Sequence, residues 1–323
     1  MRKEYRTGLV YIGKRLLLAV VTLVIISIVI YVATFVVPAD PAKVWLGRYA
    51  SPYQIRVFNR ENGLDQSALA GYMTWASHFL TGNLGKSIIT QAPVSTIVLP
   101  RLERTMLLAT LAFLLAVPVA FFLGIITGTR PGSRLDRIIS VQILGIAAFP
   151  EFVIAVILAT IFAIYLKVLP VSSSQVLYGS FSAQLEGYVL PAATLALAII
   201  PHMTRQIRVA VREVHESPFL RAARLRGLQP RVMLIGHLLP SVGARVVNVV
   251  ALNFAELLAG VVVVETVFAF PGIGQELIQA ISSNDVAVMQ TCAIIIGGAY
   301  VALNFLADAI VVALNPRLRR GDS

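Results

Sequence analysis

Residues 219–240, FLRAARLRGLQPRVMLIGHLLP, decide how this chain is read. Four arginines stand in the segment, Arg221, Arg224, Arg226 and Arg231, and long apolar stretches flank it on both sides. Arginines in a connection between membrane spans mark the cytoplasmic side. The small residues Ala222 and Ala223 come next to them, then Gly227, and the segment closes on Leu239-Pro240. Small residues on a short helix allow another protein's surface to approach closely. Glycine readily takes the left-handed conformation that ends a helix. A short helix over 219–227, stopped at Gly227, is therefore expected.

The flanking sequence supplies the membrane. The chain is 57% hydrophobic and only 13% charged, with a mean hydropathy of +0.81, far from a soluble domain. A helix needs about 20 apolar residues to cross roughly 30 Å of hydrocarbon. Residues 16–37, 105–129 and 286–307 are uncharged runs of that kind. Less pure runs are 138–166, interrupted by Glu151, then 188–204, and 246–264, interrupted by Glu256. The fold class expected is an all-α integral membrane protein of six transmembrane helices.

The net charge of +11 suggests nucleic acid only until its placement is considered. Lys and Arg concentrate before the first run, between the second and third (Arg130, Arg134, Arg137), between the fourth and fifth, and after the last (Arg317, Arg319, Arg320). Lys167 alone serves the third-to-fourth connection, and no Lys or Arg occurs between Arg245 and Arg317. The positive-inside rule then puts both termini in the cytoplasm and makes the basicity a matter of topology. Nucleic acid is not an expected partner; membrane lipid is.

The organisation follows from this. Residues 1–15 are a cytoplasmic N-terminal segment, 16–37 the first span, and 38–104 an extracytoplasmic insertion. Residues 105–314 form a core of five spans that includes the cytoplasmic loop 209–240, and 315–323 are a cytoplasmic tail. The first span is too long for the apolar region of a signal peptide and lacks a small-x-small site before Pro38, so it is read as retained. Within the insertion, residues 65–79 have the spacing of an amphipathic helix, with Asp65 near its start. It reads as a cap on the outer ends of the spans or as a docking surface for an extracytoplasmic partner.

Motifs that suggest chemistry fail on inspection. Asn83-Leu84-Gly85-Lys86-Ser87 ends like a phosphate loop, but Leu80 stands where its first glycine belongs. Pro271-Gly272-Ile273-Gly274 lacks the third glycine of a dinucleotide fingerprint, Leu277 occupying that place. His78, His202, His215 and His237 show no metal-ligand spacing, and no nucleophile-base arrangement is apparent. Neither catalytic nor metal-ligating residues are expected, nor a cofactor on this chain. The single cysteine, Cys292, reads as a packing residue in the last span. Gly124 and Gly128 form a small-xxx-small pair suited to helix contact, Gly297-Gly298 offers another close-approach surface, and Pro118 is expected to kink its span.

Several motifs occur together, in order. Pro38-Ala39-Asp40-Pro41-Ala42 follows the first span, and Gly63-Leu64-Asp65 and Gly82-Asn83-Leu84-Gly85-Lys86-Ser87 lie in the insertion. Val264-Glu265-Thr266-Val267-Phe268 with Pro271-Gly272-Ile273-Gly274 follows the fifth span; Asn304-Phe305-Leu306-Ala307-Asp308 and Asn315-Pro316-Arg317 end the chain. With residues 219–240, this set resembles the permease subunits of the dipeptide/oligopeptide/nickel class of ABC importers, and specifically the subunit with a large loop after its first span. The resemblance implies a type I importer permease fold in the bacterial cytoplasmic (inner) membrane. The implied partners are a second homologous permease, two ATPase subunits that carry ATP and Mg, and an extracytoplasmic substrate-binding protein. The implied function is the channel of an ATP-driven importer of di- or oligopeptides working by alternating access. Permeases of the same class for nickel, glutathione or opine-like solutes are the alternative, and a self-sufficient secondary transporter is a more distant one.

By the same resemblance, residues 219–240 are the EAA loop, through which the ATPase grips the channel. Phe219, Arg221, Ala222, Ala223, Arg224, Arg226, Gly227, Leu239 and Pro240 are its expected coupling residues. Arg221 stands where the pattern is acidic and His237 where it is apolar. Glu265 and Asp308 match the family pattern and are read as structural or gate-forming. Glu151, directly after Pro150, and Glu256 depart from it. A charge at the bilayer centre costs at least about 2.5–3.5 kcal/mol on insertion scales, so it faces a cavity or a partner. Pro150, Glu151 and Glu256 are thus candidates for a translocation path that favours cationic groups. The alternative is that the carboxylates pair with each other or with the partner subunit, or stay protonated.

Overall fold

The structure, a computed structural model, describes residues 2–36, 46, 50–61, 67–174 and 180–314. The motifs at 38–42, 63–65 and 315–317, the tail 315–323 and Asp65 lie outside the described residues. Among those described, no strand occurs. The helices in chain order are α1 (Arg2–Val36), α2 (Pro52–Glu61), α3 (Ala68–Leu80), α4 (Val94–Thr129), α5 (Arg134–Ala147), α6 (Glu151–Leu158), α7 (Phe181–His215), α8 (Pro218–Leu225), α9 (Pro230–Met233), α10 (Leu239–Val267), α11 (Ile273–Ser283) and α12 (Val286–Leu314). A π-helical turn, Ala159–Tyr165, continues α6, and another, Leu234–Leu238, joins α9 to α10.

Five helices contain stretches long and apolar enough to cross a membrane: Ile12–Thr34, Val94–Thr129, Ala183–His215, Arg245–Val267 and Val286–Ile310. The sixth expected span, 138–166, is not one rod. It is the pair Arg134–Ala147 and Glu151–Tyr165, bent by 98° at the break. Pro150 is the physical cause: it has no N–H to give and excludes helical backbone from the residue before it. Its own backbone is extended (φ −59°, ψ 149°), and its carbonyl accepts from Val153 N at 2.9 Å to start α6. Helix α4 begins at Val94, ahead of the apolar run 105–129, and runs unbroken through Pro100 and Pro118. In α3 the start is Ala68, and the Ser67 hydroxyl caps it by accepting from Ala70 N at 3.4 Å.

The chain divides into two compact units. One comprises Met1–Leu17, Leu107–Phe270 and Ala302–Ser323. In it α7 packs along α10, α6 lies against both, and α5 lies against α7. Gly124 and Gly128 explain how α4 meets α7. A β-carbon at Gly124 would fall on the Ile207 side chain, and one at Gly128 on Val211 and the Arg208 carbonyl. The small-xxx-small pair therefore serves close helix contact, as its spacing predicts.

The other unit comprises Leu18–Met106 and Pro271–Val301. Its buried cluster joins Val94, Val98, Ile273, Ala280, Val288 and Cys292. The Asn83-to-Ser87 segment is a structural turn here, with Gly85 at φ +77°. The buried Asp285 carboxylate accepts from the Ser87 hydroxyl and from Ile88 N at 3.3 Å. Ile273 N donates to the Thr105 hydroxyl at 2.9 Å, and the second glycine motif leads into α11. In α3, Tyr72 hydrogen-bonds to Ser27 at 2.8 Å, and its ring stands edge-on to Tyr31 at 5.5 Å. The face with Tyr72 and Trp75 thus packs on α1, while Leu69, Met73 and Leu80 are exposed.

Candidate functional site

Helix α8 occupies the segment expected to be helical. Ser217 caps it, its hydroxyl accepting from Leu220 N at 3.4 Å, and Pro218 takes the first turn, where a missing N–H is harmless. The chain leaves the helix at Arg226, and Gly227 follows at φ +77°, the left-handed turn that glycine adopts without a clash. Leu220 and Ala223, three apart, are buried at 1% and 6% exposure. The opposite surface presents Arg221, Ala222, Arg224 and Arg226, together with Phe219 at 60% and Leu225 at 89% exposure. Of the expected pair of small residues, Ala223 anchors the helix and Ala222 lies on its open face.

Side chains on neighbouring elements hold α8 in place. The Phe219 ring stacks on the His237 imidazole, centroids 5.6 Å apart and planes 21° from parallel. The imidazole at this otherwise apolar position is thus one half of an aromatic stack. The Arg224 guanidinium donates to the His215 carbonyl at 3.2 Å and lies 2.6 Å from its Nε2. Glu216, just before the Ser217 cap, accepts from Arg212 Nε at 2.8 Å, and that hydrogen bond holds its carboxyl below the ordinary range. Leu239 is half-buried and Pro240 exposed at the start of α10.

A further ionic contact on α7 went unread in the sequence. The Arg208 guanidinium donates to Asp136 on α5 at 2.9 Å and to the Ser140 hydroxyl at 3.0 Å. Asp136 is 4% exposed and also accepts from Gly132 N at 2.9 Å. Arg208 had counted only as a topological charge. An acid three residues after the Gly132-Ser133 turn was the available sign that it had a fixed partner.

A second site lies deeper. Glu151, the first residue of α6, and Glu256 on α10 line one cavity of about 140 Å³. Pro150 lines it too, so the three path candidates come together. The remaining wall is Ile146, Ala147, Phe149, Leu195, Ala198, Ile199, Leu257 and His202. Glu256 lies eleven residues from either end of the apolar stretch Arg245–Val267 and is exposed. Glu151 is half-buried, and its carboxylate occupies the space where a β-carbon of Gly260 would stand. Sequence reasoning missed His202 and Gly260. An ionisable residue inside the apolar run 188–204 was itself a sign, and so was a lone glycine in Ala255-Glu256-Leu257-Leu258-Ala259-Gly260.

The two remaining acids are set differently. Glu265 is fully buried near the end of α10, and its carbonyl accepts from Phe270 N at 2.8 Å in the turn that leaves the helix. Asp308 on α12 pairs with Arg15 at 3.1 Å.

The chain as a whole is similar to known membrane transport components. The model of the binding-protein-dependent transport system inner membrane component matches residues 120–320, and the model of the N-terminal part of such components matches residues 9–109. A probable peptide ABC transporter permease protein of Sinorhizobium fredii (y4tP) is 33% identical over 96% of this chain and 99% of its own length. A putative peptide transport system permease protein of Brucella abortus is 31% identical over 95% of this chain and 98% of its own. The glutathione transport system permease protein GsiC of Salmonella typhi is 29% identical over 96% and 98%. Among solved structures, a chain of the inward-facing MetNI methionine ABC transporter (CY5 native crystal form) superposes with a TM-score of 0.59. It shares 18% identity and covers 69% of this chain and 98% of its own, a likeness of fold.

Proposed function

Because this chain belongs to the inner-membrane component family of binding-protein-dependent transport systems, in its dipeptide/oligopeptide class, we propose that it forms the channel of an ATP-driven importer of di- or oligopeptides. It is a multi-pass protein of the inner membrane. The observation that carries the reading is α8: a short helix anchored by Leu220 and Ala223 that leaves Phe219, Arg221, Ala222, Arg224, Leu225 and Arg226 open to a partner. Phe219 at 60% and Leu225 at 89% exposure stand beside three arginines on this face. An ATPase cleft would cover both.

In this reading both termini and residues 209–240 face the cytoplasm, and residues 38–104 face outward. Two ATPase subunits hold ATP and Mg; a second homologous permease completes the channel, and an extracytoplasmic binding protein delivers substrate. When the ATPases close, α8 is pushed, and α7 and α10 on either side of the loop reorient to expose the path alternately to each face. Pro150, Glu151 and Glu256 line that path, and Glu265 and Asp308 stabilise the span ends or form a gate.

Gentle purification of the tagged chain from its native membrane tests the assembly. ATPases and a second six-span protein should accompany it; a chain that emerges alone and still transports would refute the importer reading. Gly227→Val tests the coupling. A branched residue at φ +77° strains the backbone by about 1–2 kcal/mol, while its β-carbon would have open space. The variant should assemble yet lose substrate-stimulated ATP hydrolysis and uptake together. The relationship to GsiC supports a second substrate reading, a glutathione-like tripeptide, which competition for uptake between glutathione and ordinary peptides would separate.

A further inference from the structure

We propose that the cavity between α6, α7 and α10 binds the terminal ammonium group of the transported peptide, with Glu151, Glu256 and His202 as its acceptors. The inference rests on the reading of the chain as a peptide importer and names the chemistry of its path.

Glu256 stands at the midpoint of an apolar stretch and is exposed. Lipid would make an ionised carboxylate there prohibitively costly, so the side chain faces water or a polar partner in the working membrane. The cavity beside it supplies the direction. Glu151 enters from the break in the 98° bend, and His202 enters from α7. No Lys or Arg lines the cavity, and His202 is the one side chain in its wall that can carry positive charge beside the two acids. The rest of the wall is apolar, which strengthens any charge-assisted hydrogen bond formed inside.

Gly260 makes the arrangement possible. Any β-carbon there would overlap the Glu151 carboxylate, so glycine lets the acid lie against α10, the helix that carries Glu256. The ligand class follows from geometry and size. Among the described residues no three His, Cys, Asp or Glu side chains converge closely enough to hold a metal ion. A primary ammonium asks less: three donors directed at acceptors on different sides. A cavity of about 140 Å³ is smaller than the roughly 300–1,000 Å³ of sites that enclose whole small ligands, so it suits an end group. Every peptide carries one α-ammonium whatever its side chains, so a site for that group allows many sequences to pass.

The complete importer, reconstituted in proteoliposomes with ATP, is given trialanine or N-acetyl-trialanine. Uptake is compared among the wild type, Glu151→Gln and Glu256→Gln. In parallel, a hydrophobic carbodiimide joins any amine to a carboxylate it touches, and mass spectrometry locates the trialanine adduct. Losing one charged acceptor should lower trialanine uptake by about tenfold, change N-acetyl-trialanine uptake by less than about twofold, and leave adducts on Glu151 or Glu256 in the wild type. Equal losses for the two peptides without an adduct would make the acids structural and overturn the site while leaving the importer intact. Unchanged trialanine uptake would do the same. A wild-type complex that hydrolyses ATP and moves neither peptide would overturn the peptide reading and the site together.

Discussion

Gly260 controls where the Glu151 carboxylate can lie. Gly260→Ala places a methyl group on that carboxylate and drives it toward the middle of the cavity. Overpacking of this kind costs about 1–3 kcal/mol. Shortening the acid should relieve it, so Gly260→Ala combined with Glu151→Ala should be more stable than the sum of the single effects predicts. Thermal unfolding of the four purified proteins would measure the coupling, and strict additivity would show that the two residues do not touch. At the same scale, the sequence made Glu151 and Glu256 conspicuous because acids are rare in apolar runs. It could not pair them, since they stand 105 positions apart and meet only through the packing of α6, α7 and α10. His202 was discounted because histidines were judged by metal-ligand spacing along the chain, whereas its place depends on how α7 is turned.

The helices meet through small residues and one buried ionic contact. Gly128 lets α4 approach the Arg208 carbonyl on α7. Gly128→Leu must separate the two helices, at an expected cost of about 1–3 kcal/mol and a lowered unfolding temperature in detergent. Gly145, with open space around it, should accept alanine with no such penalty. Arg208→Met would strand Asp136, which is 4% exposed and holds the α5 end of the contact. Breaking such a pair costs about 3–5 kcal/mol when the remaining charge stays buried; Arg208→Met with Asp136→Leu should recover much of it. The small-xxx-small spacing was readable because period four places Gly124 and Gly128 on one helix face. The Arg208 partner was not, because across a separation of 72 positions nothing in the sequence says which of several basic residues meets Asp136.

For the whole molecule, acidity should tell on the unit formed by Leu18–Met106 and Pro271–Val301. Burial pushes the Glu276 carboxyl up; Arg101 opposes this and Asp285 adds to it. Arg101 Nη1 lies 2.8 Å from Glu276 Oε2, a charge contact without hydrogen-bond alignment. A carboxyl raised on folding is protonated in the native state at pH values where the unfolded chain has lost the proton. Its stabilising effect is complete below the unfolded value, about 4.3, and declines as pH rises through the folded value. The fall in unfolding temperature from about pH 4.5 to pH 7 should therefore be smaller in Glu276→Gln than in the wild type. An identical fall in both proteins would show that Glu276 titrates as it does in the unfolded chain.

Composition and period by themselves determined that this is a helical membrane protein with six apolar regions, and the order of its motifs determined the family. They also located α8, since Gly227 is a local stop signal and a glycine turn acts over a few residues; Ser217 and Pro218, which start the helix, went unread. Tertiary structure alone decided the rest. It bent the third apolar region by 98°, brought Glu151, His202 and Glu256 to one cavity, and stacked Phe219 on His237. The physical reason is range. Backbone preference and hydrophobic period are read within a few turns of helix. A cavity is set by packing between helices distant in sequence, where single atoms such as the missing β-carbon of Gly260 decide what fits.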